Sequence, residues 1–498
     1  MFANTKSFKL GSKIPLYNSK EEEKMKKNKL LLIAIFAAAF LILVACGNGD
    51  NGVAGDDDDY DDVEPPIAEV DPDDEDDDAA EDDDAEDDDA EYAAAYGLTG
   101  TITFNWWGNE GRHDVTNQVV DLFVSENPGV TIYTEYDAWD GWQARIAGDL
   151  AANQAADLMQ VNFNWLALYS PLGTTFMDLE DPRIAEHLDL GNWDSEYIDI
   201  VRRNDIVQGV PVGMTARVPF MRADIYNDAG LDIQDINTWD DLMEAGRVIQ
   251  EYHGDDVFAL SPLGEPSIAY MVFSYMEQFT GLPFVDEDFQ FNYSLEDLER
   301  GFQLIQDFMD NGVMPDGAFD SDDINASNPN WIAGHYGGVS EWDSSINAWI
   351  ENVGEEVIEI RPHFTMDGAL NSGWMSRPSM VFAISNNTPY PEVAAAFLNF
   401  MLTDQRAIEI IGTDRGVPLN TVGRTHFDAA ELGGPVVEAN ALHANADTTT
   451  MNPVFEFPEV REVYEDQLMA LFHGNATVEE AAEVVYTSIQ SVIDSAIE

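Results

Sequence analysis

Short apolar runs and amphipathic segments alternate along the chain from residue 101 onward. The apolar runs Thr101–Trp106, Val130–Tyr136 and Asp157–Val161 predict buried strands. Between them, His113–Glu126 and Asp140–Asn153 carry apolar residues at helical spacing on one face, which predicts amphipathic helices. Strand, helix, strand, helix and strand in this order predict a parallel sheet with helices packed on it, so the fold class is α/β.

A second α/β block is predicted after Val207–Gly213, a short apolar segment broken by glycines that suits a crossing strand and a hinge. Thr238 is the predicted N-cap of the first helix of this block. The other predicted helices have one apolar face, and the predicted strands are apolar or glycine-rich. The helices are predicted over Thr238–Glu251, Leu295–Asn311, Pro391–Thr403, Asp404–Ile411 and the tail Val454–Ile497, and the strands over Tyr336–Ser340 and Ser379–Ser385.

The N-terminal segment has the pattern of an export signal. Lysines from Lys24 to Lys29 precede Leu30–Ala45, an apolar run that is shorter than the ~20 residues of a membrane span. The run ends in Leu-Val-Ala-Cys-Gly around Cys46, which resembles the lipobox of bacterial lipoproteins. This resemblance implies cleavage of a signal peptide, residues 1–45, and a lipid on Cys46, with Met25 as the expected start. The alternative is an uncleaved membrane anchor with an incidental cysteine.

Residues 46–98 are predicted to form a disordered acidic tether. From Asp56 to Glu91, 24 of 36 residues are Asp or Glu and none is basic. Such a segment buries too little apolar surface to offset the entropy of ordering, and its like charges repel one another. Calcium binding is the alternative, but the segment lacks the spaced ligands and glycine of a calcium loop. We therefore expect a solvated spacer and no metal site.

Charge and residue usage exclude several classes of function. The formal net charge is −72, which argues against nucleic acid as a partner because phosphate binding needs a basic surface. No lysine follows Lys29, so a P-loop is excluded, and the single cysteine excludes an internal disulfide. The HExxH and GxSxG motifs are absent as well. We expect no enzyme activity and no cofactor; a surface glycosidase is the enzymatic alternative.

Aromatic and polar side chains follow the predicted strands of the first block at their carboxyl ends. In open α/β sheets the ligand lies beyond these ends. Tryptophan rings suit the flat faces of sugars, and amide and charged groups suit their hydroxyls. The alternatives are a core role for each tryptophan and plain helix or strand capping for the polar residues. The candidate ligand-binding residues are Trp107, Asn109, Glu110, Arg112, Trp139, Asp140, Asn162, Asn164 and Trp165.

The body of the chain resembles the extracellular solute-binding proteins of bacterial ABC importers, in particular the family 1 sugar binders related to maltose-binding protein. Phe104–Trp107 with Asn127-Pro128-Gly129 is similar to the family's first strand and turn. Gln154–Val161 is similar to its third strand, with alanine replacing a usual proline. Trp331–Trp342 matches a further segment, with His335 replacing a lysine. Ser385–Asn420 is the closest match.

This resemblance implies a two-lobe periplasmic-binding-protein type II fold, with a ligand cleft between lobes joined by a hinge. The implied first lobe is 99–212 plus about 379–425, and the second is about 213–378 plus 426–498. The resemblance also implies lobe closure on a carbohydrate and delivery to the subunits of an ABC permease. The protein is then a monomer held at the extracellular face of the cell membrane by lipid on Cys46.

The resemblance places the opposite wall of the cleft in distant sequence, at Glu341, Trp342, Trp374 and Arg377. Together with Arg112 and Arg217, Arg377 would suit the carboxylate of an acidic sugar, but an ion pair is the expected role of each arginine in so acidic a chain. A neutral oligosaccharide is therefore the expected ligand. The alternatives are an acidic oligosaccharide or a peptide on the same scaffold.

Overall fold

The computed structural model describes residues 97–497, apart from residues 140, 265, 287 and 320–323. The signal peptide, Cys46, nearly all of the acidic tether and the candidate residue Asp140 therefore lie outside the described residues. Among the described residues, no helix combines the length and the apolar character that a membrane crossing needs.

The strands fall into a large sheet in each lobe and one short hairpin. In chain order they are β1 (Gly100–Trp107), β2 (Val130–Asp137), β3 (Leu158–Val161), β4 (Arg202–Arg203), β5 (Ile206–Val207), β6 (Val210–Pro211), β7 (Met214–Arg222), β8 (Gly338–Trp342), β9 (Ile358–Ile360), β10 (Met375–Pro378), β11 (Val381–Ile384) and β12 (Thr449–Thr450).

The helices cover both sheets. They are α1 (Glu110–Glu126), α2 (Trp142–Ala151), α3 (Phe163–Tyr169), α4 (Pro182–Ala185), α5 (Ser195–Ile200), α6 (Ala223–Asp228), α7 (Trp239–His253), α8 (Ser267–Thr280), α9 (Leu295–Asp310), α10 (Pro329–Ala333), α11 (Ile346–Glu351), α12 (Pro391–Thr403), α13 (Gln405–Ile411), α14 (Thr421–Ala429), α15 (Pro435–Ala444), α16 (Pro458–Phe472) and α17 (Val478–Ile497). Short 3-10 turns include Asp343–Ser345 and Pro453–Glu456.

The first lobe is built on a five-stranded sheet in the order β2-β1-β3-β11-β6. Strand β1 is parallel to both β2 and β3, as predicted, while β11 runs antiparallel to β3 and β6. Alternation along β1 sends Phe104 and Trp106 into a core shared with Phe123 of α1 and Phe397 of α12. Trp107 therefore faces the other way, at the carboxyl end of the strand.

The second lobe is built on β12-β10-β7-β8, with β9 also paired to β7. The long strand β7 is antiparallel to β8, β9 and β10. Helix α16 belongs to this lobe, because Tyr464 packs against Phe273 of α8, Phe284 and Phe455 in a cluster of buried rings. The 3-10 turn Pro453–Glu456, which precedes α16, contacts the first lobe's helix α3, where Asn164 Nδ2 donates to the Glu456 carbonyl at 3.1 Å.

The chain passes between the sheets at glycine- and serine-containing segments. Strand β6 lies in the first sheet and β7 in the second, so the passage is at Val212-Gly213, inside the segment predicted as a hinge. Strands β10 and β11 make the return passage at Ser379-Met380. A Cβ at Gly213 would lie 2.9 Å from the carbonyl oxygen of Val417, so only glycine fits this close approach of two backbones.

Most predicted elements are present, and these differ from the prediction mainly at their ends. Helix α1 begins three residues before the predicted start, because Asn109 caps it by accepting a hydrogen bond from the Arg112 amide. Helix α2 begins at Trp142, since Gly141 adopts a left-handed conformation just before it. Several elements were not predicted, among them α3, α8 and the long strand β7. The predicted helical tail is two helices separated near Gly474, which has a φ of 68°. The glycine-rich strand lies two residues later than predicted, at Gly338–Trp342.

Candidate ligand-binding site

A cavity of about 710 Å³ lies between the two lobes, at the carboxyl ends of β1 and β3. Its lining comes from both lobes and from the start of α16. The structure brings more than half of the predicted site residues to this cavity, from stretches that are far apart in sequence. They are Trp107, Arg112, Trp139, Asn162, Asn164, Trp342 and Arg377.

Three tryptophans of the first lobe form one aromatic cluster at the cavity. The Trp107 ring lies edge-on to Trp139, with centroids 5.1 Å apart, and 5.6 Å from Trp165. Trp139 stacks on Trp165 at 5.8 Å with an interplanar angle of 14°. Trp107 and Trp139 line the cavity, whereas Trp165 is fully buried. The expectation that Trp165 faces the ligand is corrected: helix α3 turns its ring inward, where it supports the ring of Trp139.

Arg377 contacts residues on both sides of the cleft. Its Nη1 donates to Asn162 Oδ1 of the first lobe at 3.0 Å, and its Nε lies 3.1 Å from Glu456 Oε1. Its guanidinium lies over the Trp342 ring, 4.3 Å from the centroid. The aromatic face and the carboxylate both attract the positive charge of the guanidinium and so offset the cost of burying it. Arg377 therefore fixes the orientation of Trp342 as the aromatic wall of the second lobe.

Glu456 and Asn164 carry buried oxygen atoms that the described structure leaves unpartnered. Asn164 Nδ2 donates to the Glu456 carbonyl at 3.1 Å, while Asn164 Oδ1 has no hydrogen-bond partner among the described residues. Glu456 Oε1 accepts from the Tyr270 hydroxyl, while Glu456 Oε2 has no hydrogen-bond partner there. Both residues line the cavity. Because a buried acceptor without a donor is costly, these two oxygens suit a ligand that supplies O–H or N–H donors.

Burial also shapes the chemistry of Tyr270 on the floor of the cleft. Burial, followed by the charge of Glu456, raises the pKa of the Tyr270 hydroxyl well above its usual range. The hydroxyl is therefore protonated throughout the physiological range and acts as a donor to Glu456. This donor fixes one carboxylate oxygen and leaves the other for the cavity.

Each arginine singled out in the sequence forms an ion pair, as expected. Arg112 Nε lies 2.8 Å from Asp414, Arg217 pairs with Glu341, and Arg377 pairs with Glu456. Glu341 was predicted to bind ligand, and this is corrected: its carboxylate pairs with Arg217, and it does not line the cavity.

Three further candidates lie away from the cavity. Asn109 and Glu110 are exposed at the start of α1, where Asn109 acts as a helix cap. Trp374 was expected to face the cleft, and this is corrected. It is 5% exposed, and its indole Nε1 donates to the Arg217 carbonyl at 2.8 Å inside the second lobe. Its position directly before β10 turns the ring beneath the sheet instead of toward the ligand.

The sequence analysis missed the part of the wall that α16 contributes. Arg461, Glu462, Glu465 and Asp466 line the cavity, and Arg461 Nε lies 2.9 Å from Glu465 Oε1. Although burial lowers the pKa of Arg461, the bond to Glu465 raises it overall, so the guanidinium stays charged. The only local signal was a proline, Pro458, at the first position of a helix, which marks a helix start but no function.

The cavity lining carries more acidic than basic side chains. The basic residues are Arg112, Arg377 and Arg461, and the acidic residues are Glu456, Glu462, Glu465 and Asp466. Across the part of the chain that the structure describes, no group of three or more His, Cys, Asp and Glu side chains is arranged to hold a metal ion. The arrangement suits binding of a polar ligand with apolar faces.

Solved structures resemble this chain over nearly all of its described length. A periplasmic solute binding protein from Pectobacterium atrosepticum is 28% identical, with a TM-score of 0.75, and the match covers 80% of this chain and 100% of that one. A periplasmic oligogalacturonide binding protein from Yersinia enterocolitica, solved with saturated digalacturonic acid, is 27% identical with a TM-score of 0.73 and the same coverage, 80% and 100%. Both matches support the two-lobe fold implied by the sequence.

Curated relatives align over shorter stretches. The arabinooligosaccharide-binding protein of Halalkalibacterium halodurans is 23% identical over 222 residues, 42% of this chain and 46% of the relative. A binding protein of Brucella abortus is 25% identical over 146 residues, 28% of this chain and 33% of the relative. The chain thus spans a third to a half of the length of these relatives. The family model for bacterial extracellular solute-binding proteins matches residues 118–427, and the chain belongs to that family.

Proposed function

We propose that this protein captures a carbohydrate, expected to be an oligosaccharide, between its lobes and delivers it to an ABC import permease. Membership of the solute-binding family supports capture of a solute. Relatives whose names specify oligogalacturonide or arabinooligosaccharide binding support a sugar as that solute. Closure of the lobes around the ligand is the expected motion, because the cavity is lined from both lobes.

The observation that carries the proposal is the combination of aromatic rings with unpartnered buried acceptors in one cavity. Trp107 and Trp139 on one side and Trp342 on the other offer flat apolar faces. Asn164 Oδ1 and Glu456 Oε2 lack donors within the described structure. A sugar supplies both complements, since its C–H faces pack on rings and its hydroxyls donate to oxygen.

The charges of the cleft favour a neutral sugar. Every lining arginine is ion-paired, to Asp414, Glu456 or Glu465. A ligand carboxylate would have to displace a protein carboxylate and approach the remaining acidic groups, which costs electrostatic energy. An acidic oligosaccharide is the second candidate, favoured by the likeness to the oligogalacturonide binding protein.

Calorimetry against a ligand panel tests the proposal. The panel holds arabino-, malto- and xylo-oligosaccharides, oligogalacturonides, and short peptides. We expect saturable, one-to-one binding of a neutral series and no release of new reducing ends on long incubation. Tighter binding of oligogalacturonides than of the neutral series would show that the ligand is an acidic oligosaccharide and not a neutral one. Peptide binding without any sugar response would contradict the proposal, and turnover would indicate a glycosidase.

Trp342→Ala is expected to weaken binding of the active sugar by about tenfold, because it removes the aromatic wall of the second lobe. The loss of its contacts with Arg217 and Arg377 is expected to lower stability by only about 1–2 kcal/mol. Titration calorimetry and thermal unfolding measure the two effects. Tyr252→Ala is the control, since this exposed tyrosine lies outside the cavity lining and both quantities should stay unchanged. Undiminished affinity in Trp342→Ala would remove Trp342 from the site.

The lipid anchor and monomeric state belong to the same proposal and rest on the sequence. Cys46 follows a signal-like segment and is the single cysteine of the chain. Cys46→Ser should release the protein from the membrane fraction into the medium when the full chain is expressed in a Gram-positive host. Retention of the variant in the membrane would favour an uncleaved anchor instead.

A further inference from the structure

A second hollow lies directly beside the cleft on the surface of the first lobe. It has a volume of about 440 Å³ and is formed by α2, α3 and the turn that precedes α2. Gly141, Ala144 and Tyr169 line it alone, whereas Trp139 and Gln143 line both the hollow and the cleft. The two spaces therefore meet at Trp139 and Gln143.

Trp139 is placed as a platform between the two spaces. Its ring is 48% exposed although it stacks on the fully buried Trp165 and touches the edge of Trp107. An exposed indole lacks the favourable free energy that burial of its apolar surface would give, and exposed apolar surface of this kind is typical of binding sites. Two buried or half-buried tryptophans fix the ring from behind, so little ordering entropy is lost when a ligand packs on it.

Polar groups beside the platform are already oriented. Gln143 Nε2 donates to the Tyr169 hydroxyl at 3.2 Å, which leaves the amide oxygen of Gln143 and the phenol proton of Tyr169 for other partners. The hollow thus offers an aromatic face with an acceptor and a donor at its edge. This is the same chemistry as in the cleft. Burial, together with the charge of Glu459 of α16, raises the pKa of the Tyr169 hydroxyl, which therefore keeps its proton as a donor.

We propose that this hollow is a distal subsite, in which one end of an oligosaccharide packs after leaving the cleft across Trp139. The inference rests on the proposed function and specifies its substrate class: a chain longer than the cleft holds, with at least one residue bound outside it. The continuity of the lining through Trp139 and Gln143 identifies the occupant as the same ligand molecule and not a second one.

Chain-length dependence of affinity tests the inference. The probes are matched pairs of two and five residues from the arabinan, maltodextrin, xylan and galacturonan series, titrated into the wild-type protein. A five-residue chain offers about four registers for a two-residue site, so statistics alone give at most about a fourfold gain. A distal subsite is expected to give a gain above about tenfold.

Ala144→Glu places a bulky charged side chain in the hollow, at an exposed position of α2 where glutamate favours the helix start. It should reduce the ratio of the two affinities to about fourfold or less. Ala151→Glu is the matched control, because it adds the same charge at an exposed position of the same helix outside the hollow. It should keep the wild-type ratio. Ala144→Glu should keep the wild-type melting temperature, whereas Ala151→Glu should lower it slightly, because glutamate at the last residue of α2 opposes the helix dipole.

The outcomes separate the two proposals. If no series binds at either length, the proposed function fails. If a series binds but the wild-type ratio is about fourfold or less, the sugar-binding function stands and the distal subsite is overturned. A large ratio that Ala144→Glu leaves unchanged also overturns it, because the extra affinity then arises within the cleft.

Discussion

At the scale of single residues, His363 shows how burial determines protonation. Its ring stands edge-on to Trp239, with centroids 5.3 Å apart, and is stacked with Trp374 at 6.1 Å. Both ring nitrogens are buried without hydrogen-bond partners among the described residues, although the residue as a whole is only half-buried. Burial lowers the pKa of His363 to about 4. The imidazole is therefore neutral in the folded protein at neutral pH.

This neutral histidine predicts a loss of stability in mild acid. The unfolded chain takes up a proton near pH 6.5, while the folded chain resists it until about pH 4, so stability falls as the pH drops between these values. The loss amounts to about 2–3 kcal/mol near pH 4.5. His363→Phe should remove this part of the pH dependence, as measured by urea unfolding at pH 7.5 and 4.5. Parallel pH profiles of variant and wild type would contradict the prediction.

Also at this scale, residue type alone did not separate ligand platforms from core. Trp107, Trp139, Trp165, Trp342 and Trp374 were all candidates from sequence, and three of them line the cavity. Trp165 and Trp374 are buried, because the backbone direction at α3 and before β10 sends their rings inward. Strand alternation explains why Trp107 lines the cavity while its neighbour Trp106 is buried in the sheet core.

At the scale of elements, the start of α7 and both ends of α12 follow from local sequence signals. Thr238 caps α7 in a reciprocal box: its hydroxyl accepts from the Asp241 amide at 3.1 Å, and the Asp241 carboxylate accepts from the Thr238 amide at 2.9 Å. Helix α12 begins at Pro391 and ends at Thr403 as predicted. These signals are local, so they are readable without tertiary contacts.

Thr238→Ala is expected to lower the free energy of unfolding by about 1 kcal/mol, because the Asp241 amide at the start of α7 loses its hydrogen-bond acceptor. Chemical unfolding measures the change. Thr487→Ala is a matched control within α17, where the exposed hydroxyl bonds only to backbone carbonyls of its own helix. That replacement should be neutral or slightly stabilising. Equal losses in both variants would contradict a capping role for Thr238.

At the scale of the whole molecule, a buried polar network stabilises the second lobe directly beside the passage between the two sheets. Thr215 lies shortly after the passage at Gly213, and its hydroxyl donates a hydrogen bond to the Asp343 carboxylate. His443 Nε2 lies 2.8 Å from the other oxygen of the same carboxylate. This network ties β7 to α15 on the second-lobe side. Lobe closure should then be concentrated in the short passages rather than in the sheets.

Ligand binding is expected to compact and stabilise the whole protein. At a sugar concentration 100 times the Kd, mass action adds about 2.7 kcal/mol to the stability, and the melting temperature rises accordingly. Small-angle scattering of the body without the tether should show a smaller radius of gyration with sugar than without it. A higher melting temperature with an unchanged radius would mean that the lobes are already closed before binding.

The sequence by itself determined the α/β class, the parallel strands of the first block, the cap at Thr238 and the family, because these depend on local periodicity and short motifs. It also identified aromatic and amide groups at strand ends, which the parallel topology must bring to one edge. The tertiary structure alone decided which tryptophans line the cavity. It also decided that α16 completes the acidic wall and that Glu456 Oε2 and Asn164 Oδ1 lack partners within the described residues. These features depend on packing between segments nearly 300 residues apart, as in the contact of Asn164 with Glu456, and no local pattern encodes such contacts.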